Sequence, residues 1–101
     1  MNRTRYYVGL VTRGGEPVSP EAQASVAAEV ASQYGGGCTL YHATGYWEGE
    51  REPSLVLEAL HDEGPDPDVV ALELAELADQ SAVLWTFEEV TGNFAKRKDA
   101  Q

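Results

Sequence analysis

Four side chains able to do chemistry, Tyr41, His42, Tyr46 and Trp47, fall within one short run, and Arg51 follows close behind. On an extended chain, alternate residues face opposite sides. Cys38, Leu40, His42, Thr44 and Tyr46 would then share one side, and Tyr41, Ala43, Gly45 and Trp47 the other. A histidine among aromatic rings can serve as an acid or base in an aromatic-lined pocket. The same residue types also act as core or interface anchors with a hydrogen-bonded histidine among them. Tyr41, His42, Tyr46, Trp47 and Arg51 are the ligand-binding candidates of this chain.

Other polar clusters are less promising. His61-Asp62-Glu63 with Asp66 and Asp68 has neither calcium-loop spacing nor a histidine pair one helical turn apart, so it reads as a solvated loop and helix cap, and no metal is expected. Cys38 has no base near it in sequence and reads as a small buried hydrophobe. Gly35-Gly36-Gly37 follows a helical run instead of opening one, the wrong end for holding phosphate. Ser19, Ser54 and Ser81 lie in no nucleophile-elbow context.

These residues must be positioned by a chain of 101 residues, enough for one modest core. A folded chain of this mass exposes ~5,600 Å². With 7 Lys+Arg against 17 Asp+Glu the net charge is −10, and between Gly14 and Ala95 Arg51 is the sole base. Phosphate backbones and anionic membranes need clustered cations, so binding of nucleic acid or membrane through the folded body is not expected. One cysteine excludes an intrachain disulfide and fits a cytoplasmic location. The apolar stretch Tyr6 to Val11 is too short for an export signal or a membrane span.

The punctuation divides the chain into six elements. Tyr6 to Thr12 is aromatic and β-branched and ends at Gly14-Gly15, a strand. Ser19-Pro20-Glu21 supplies an N-cap, a first-turn proline and an acid, and Ala22, Val26, Val30 and Tyr34 form one apolar stripe up to the three glycines. Cys38 to Trp47 and Ser54 to His61 form a hairpin with a charged tip at Glu48 to Pro53. Asp66-Pro67-Asp68 opens a second helix with Val70, Leu74, Leu77 and Ala78 inward and Glu73 and Glu76 outward. Ala82 to Val90 is the last strand, and Lys96-Arg97-Lys98 belongs to a basic flexible tail over 96–101 after a single domain over 1–95.

This order of strand, helix, strand, strand, helix, strand predicts an α+β ferredoxin-like βαββαβ sandwich. Its four-stranded antiparallel sheet should run 4-1-3-2 with both helices on one face. The uncovered face should alternate with polar residues, yet Tyr7, Val11, Val56 and Leu60 make it apolar as well. A monomer would expose that patch, so a homo-oligomer is expected.

The Gly-x-Trp at Gly45-Tyr46-Trp47, the Arg-Glu-x-Ser-x-Val at Arg51 to Val56 and the Gln-x-x-Val-Leu at Gln80 to Leu84 resemble the pattern of a family of small bacterial proteins of unknown function. The likeness runs from Tyr7 to about Phe94. The plan is also similar to PII-like and CutA-like trimers, in which a Trp-bearing hairpin lies at the subunit junction. That resemblance supports the fold and the assembly, and the doubly apolar strands together with the lack of a catalytic constellation point to a small non-enzymatic, oligomeric, PII-like module without a cofactor. Its inter-subunit cleft near Tyr46, Trp47 and Arg51 would take a small molecule or a protein partner. One alternative is a cofactor-independent enzyme, like the dimeric monooxygenases of this sandwich type, using His42 with Tyr41 or Tyr46. The other is an acidic inhibitor of a basic protein partner.

Overall fold

The computed structural model describes residues 1–99; Ala100 and Gln101 of the expected tail lie outside the described residues. Six elements follow the expected order: β1 (Asn2–Gly9), α1 (Pro20–Gln33), β2 (Thr39–Trp47), β3 (Glu50–His61), α2 (Pro67–Leu77) and β4 (Leu84–Glu89). The strands form one antiparallel sheet ordered β2-β3-β1-β4, the α+β ferredoxin-like sandwich. Among the described residues, no helix is long and apolar enough to cross a membrane.

Both helices start where their caps require. The Ser19 hydroxyl accepts from the Ala22 amide at 3.1 Å and the Asp66 carboxylate from the Asp68 amide at 2.9 Å, each satisfying one orphan donor of the first turn. Val26 and Val30 of α1 and Val70, Ala71, Leu74 and Ala75 of α2 are buried. They meet Tyr6 and Val8 of β1 and Leu55 and Leu57 of β3 to form the core. Each of the buried valine and leucine side chains contributes ~2 kcal/mol by leaving water. Leu77 was expected inward but is 41% exposed, since Ala71 and Ala75 complete the inner stripe instead.

The core holds polar groups as well. The Tyr6 hydroxyl lies 2.5 Å from that of Tyr34, and burial, helped by this contact, raises its pKa well above the ordinary tyrosine value. Thr4 Oγ1 lies 2.8 Å from His61 Nε2.

Strand boundaries differ from expectation: β2 begins at Thr39 instead of Cys38, β4 covers Leu84–Glu89 instead of Ala82 to Val90, and two larger differences lie in β1 and the hairpin. β1 begins at Asn2 and ends at Gly9, because Leu10 bends away and Val11 forms only an isolated bridge with Pro17. The hairpin tip is shorter than expected. Glu48 and Gly49 take φ of 49° and 81° and turn the chain in two residues, the turn whose twist matches the flanking strands. Glu50 to Pro53 therefore pair with β2 as strand. The molecule is elongated, 51 × 24 × 23 Å, with a radius of gyration of 14.8 Å against ~13 Å for a rounded chain of this length.

Candidate functional site

Register across the sheet sorts the face opposite the helices into zones. Tyr41, Val56, Tyr7 and Leu84 are successive partners across all four strands and form one apolar row. Val56 at its centre is only 2% exposed although no helix covers it. On one side of the row lie four charges. Arg5 Nε donates to Glu58 Oε1 at 2.7 Å, and Arg3 Nε donates to Glu88 Oε1 at 2.8 Å. The expected apolar far face is thus apolar only in part, because charges on β1, β3 and β4 neutralise one another there.

On the other side the side chains become small. Ala43, Ser54 and Gly9 are neighbours in register, and Gly45 faces Glu52. This lowered floor opens a cavity of about 620 Å³, in the range of small-molecule sites. Tyr7 and Leu84 wall it from the apolar row, Gly45 to Trp47 form the β2 side, and Val11, Arg13 and residues 80–83 close the far end. Three segments distant in sequence therefore meet: the end of β1, the hairpin, and the loop from α2 into β4.

Two polar atoms aim into this space. A methyl group built on Gly9 would lie 2.1 Å from Glu52 Oε1 and 2.6 Å from Gln80 Oε1, so both oxygens hang over the bare Gly9 backbone. Among the described residues the Glu52 carboxylate has neither an ion pair nor a hydrogen bond. Arg13, the cation on the rim, has its Nε on Asp79 Oδ1 at 2.6 Å. An uncompensated carboxylate in a recess favours a cationic or hydrogen-bond-donating ligand. Gly9 is not in the left-handed region, so alanine fits its backbone. We therefore expect Gly9→Ala to fold with an unchanged or slightly raised melting temperature. Because its methyl must displace Glu52 and Gln80, ligand affinity should fall about tenfold, and calorimetric titration checks this. Wild-type affinity in the variant would show that the space over Gly9 is not used.

The five expected ligand residues separate. Tyr46 and Trp47 line the cavity. Tyr41 is one row away on the same face, beside Val56. His42 points to the helix side, where its Nε2 lies 3.4 Å from Gln23 Oε1, and exposed Arg51 is outside the lining. Cys38 is partly buried, and that burial raises its thiol pKa. Gly9, Glu52, Ser54 and Gln80 were not among the candidates. Yet Glu52, Ser54 and Gln80 belong to the motifs that carry the bacterial family resemblance, and those motifs converge here. Glycines in a strand and a carboxylate inside a strand motif were the legible signals.

The fold is that of ferredoxin-like α+β sandwiches. No family model matches the chain, and no curated protein matches it. Two solved structures with this fold are of a phage SAM lyase. The complex with S-methyl-5′-thioadenosine superposes with a TM-score of 0.67 at 17% identity, covering 87% of this chain and 80% of the other. The apo form superposes with a TM-score of 0.65 at 18% identity, covering 94% and 92%. At such identity the likeness concerns the fold. It nevertheless overturns the expectation of a non-enzymatic module, because both of these structures are of an enzyme, one of them in complex with a small molecule.

Proposed function

We propose that the far-face cavity binds S-adenosylmethionine and that the protein acts on it as a lyase, releasing methylthioadenosine. The observation that carries this reading is the unpaired Glu52 carboxylate in a cavity of nucleoside size, walled by Tyr7 and Trp47. S-adenosylmethionine brings a sulfonium, an ammonium, an aromatic base and a carboxylate. The first two suit Glu52, the base suits the aromatic walls, and the carboxylate suits the guanidinium of Arg13.

Release of methylthioadenosine requires the bond from the sulfonium sulfur to the amino-acid chain to break, its electron pair returning to sulfur. The carbon is compensated within the departing four-carbon fragment, either by ring closure, in which the fragment's own carboxylate oxygen bonds to it, or by a double bond, in which the neighbouring carbon gives up a proton to the solution; no water is consumed. The chain's residues hold the substrate and exclude solvent.

A homo-oligomer completes this site. Tyr46, Trp47 and Leu84 at the cavity are 72%, 68% and 63% exposed, and the surface of 6936 Å² exceeds the ~5,600 Å² of a rounded chain by about a quarter. A second copy packed on the hairpin closes the open side of the cavity. Incubation with S-adenosylmethionine, followed by chromatography and mass spectrometry, should show methylthioadenosine accumulating with time. Proton spectra of the coproduct tell a lactone from a vinyl group. Intact substrate after prolonged incubation at micromolar enzyme overturns the reaction. A monomeric mass by light scattering at tens of micromolar overturns the assembly.

A further inference from the structure

We infer that Glu52 and the side-chain carbonyl of Gln80 form a subsite for a primary ammonium group, seated over Gly9. The orientation of Gln80 is set from behind. Its Nε2 donates to Val11 O at 2.8 Å and to Ala78 O at 3.1 Å. Turning the amide over would set an oxygen against two carbonyl oxygens, so Oε1 is held toward the cavity. No donor among the described residues reaches that oxygen or the Glu52 carboxylate.

Two acceptors set side by side suit one guest. Both oxygens approach the same point over Gly9, at 2.1 and 2.6 Å, and so lie within about 5 Å of each other. An ammonium can donate one hydrogen bond of about 2.9 Å to each of two acceptors that lie this near each other. A sulfonium has no N–H and would gain from Glu52 alone. A neutral carbonyl fixed beside the carboxylate therefore selects a group that donates hydrogen bonds as well as carrying charge. The bare glycine leaves the room in which the two oxygens come together.

This subsite deepens the reading of the cavity and rests on it for the whole ligand, where it would hold the α-ammonium of the amino-acid chain. Recognition of the amine can be tested without that reading. The ¹⁵N-labelled full chain is titrated with n-butylammonium chloride and, at equal ionic strength, with tetramethylammonium chloride, following the Gly9 backbone amide and the Gln80 side-chain amide. Both signals should move saturably with the primary amine and stay still with the quaternary one. Gln80→Leu should bind the amine about tenfold more weakly. In the wild type S-adenosylhomocysteine should bind about tenfold more tightly than methylthioadenosine, and the variant should lose that difference. Equal responses to the two cations, or no response to either, overturn the subsite, and this comparison needs no variant. If the amine saturates Gly9 but S-adenosylmethionine is not cleaved, the reaction fails and the subsite stands. If methylthioadenosine forms while Gly9 is silent toward the amine, the subsite fails and the reaction stands.

Discussion

Glu52→Gln should lower kcat/KM for S-adenosylmethionine by about 30-fold or more and leave the melting temperature within about two degrees of the wild type. The asymmetry follows from the site. In the free protein Glu52 has no ion pair and no hydrogen bond among the described residues, so removing its charge costs the fold nothing. It even relieves slight repulsion in a chain of net charge −10. In the proposed complex the carboxylate faces a cation, and removing one partner of such a charged pair costs ~2–5 kcal/mol, roughly 30-fold to several-thousand-fold. Steady-state kinetics and a thermal melt on the same preparation read both quantities. Wild-type kinetics in this variant would remove Glu52 from the site, and a large drop in melting temperature would make it a structural residue instead.

Leu57→Ala should be the most damaging simple truncation. Leu57 is fully buried, and its register partners are Tyr6 of β1 and Leu40 of β2. It lies in the same cluster as Val26, Val30 and Leu74 from the two helices, so the void cannot be filled by one side chain moving. Cutting a buried leucine to alanine costs ~3 kcal/mol, within a usual range of ~2–5. For a chain of this size that lowers the melting temperature by ~12–24 °C. Leu60→Ala is the control three residues along the same strand. Leu60 is 53% exposed on the far face, and its loss should cost less than ~0.5 kcal/mol. Urea unfolding at one fixed protein concentration compares them, because the proposed self-association would make stability concentration-dependent. Equal losses at the two positions would mean that the core does not lie between this strand and the helices.

Much of the architecture was legible in local chemistry. Ser19-Pro20 and Asp66-Pro67 marked both helix starts to the residue, because an oxygen cap and a first-turn proline satisfy needs confined to one turn. The order of elements then yielded the sheet order, since few chiral connections join six such pieces. The tip of the hairpin was misplaced for a local reason too. The polar run Glu48 to Pro53 reads as loop, but the positive φ of Glu48 and Gly49 completes the turn in two residues.

The candidate site divides along the same line. Residue type and alternation were enough to bring forward Tyr46 and Trp47, which do line the cavity. They also brought forward His42, which the pleat turns to the helix side, where it meets Gln23. By itself the sequence determined the six elements, their caps, their order and the acidic charge, each an effect of neighbours a few bonds apart. Only the tertiary structure decided that Gly9, Glu52 and Gln80 meet. Their meeting depends on the register between β1 and β3 and on where the chain leaves α2. Pairing register is set by the packing of the whole sheet against its helices, and no stretch of neighbouring residues contains that information.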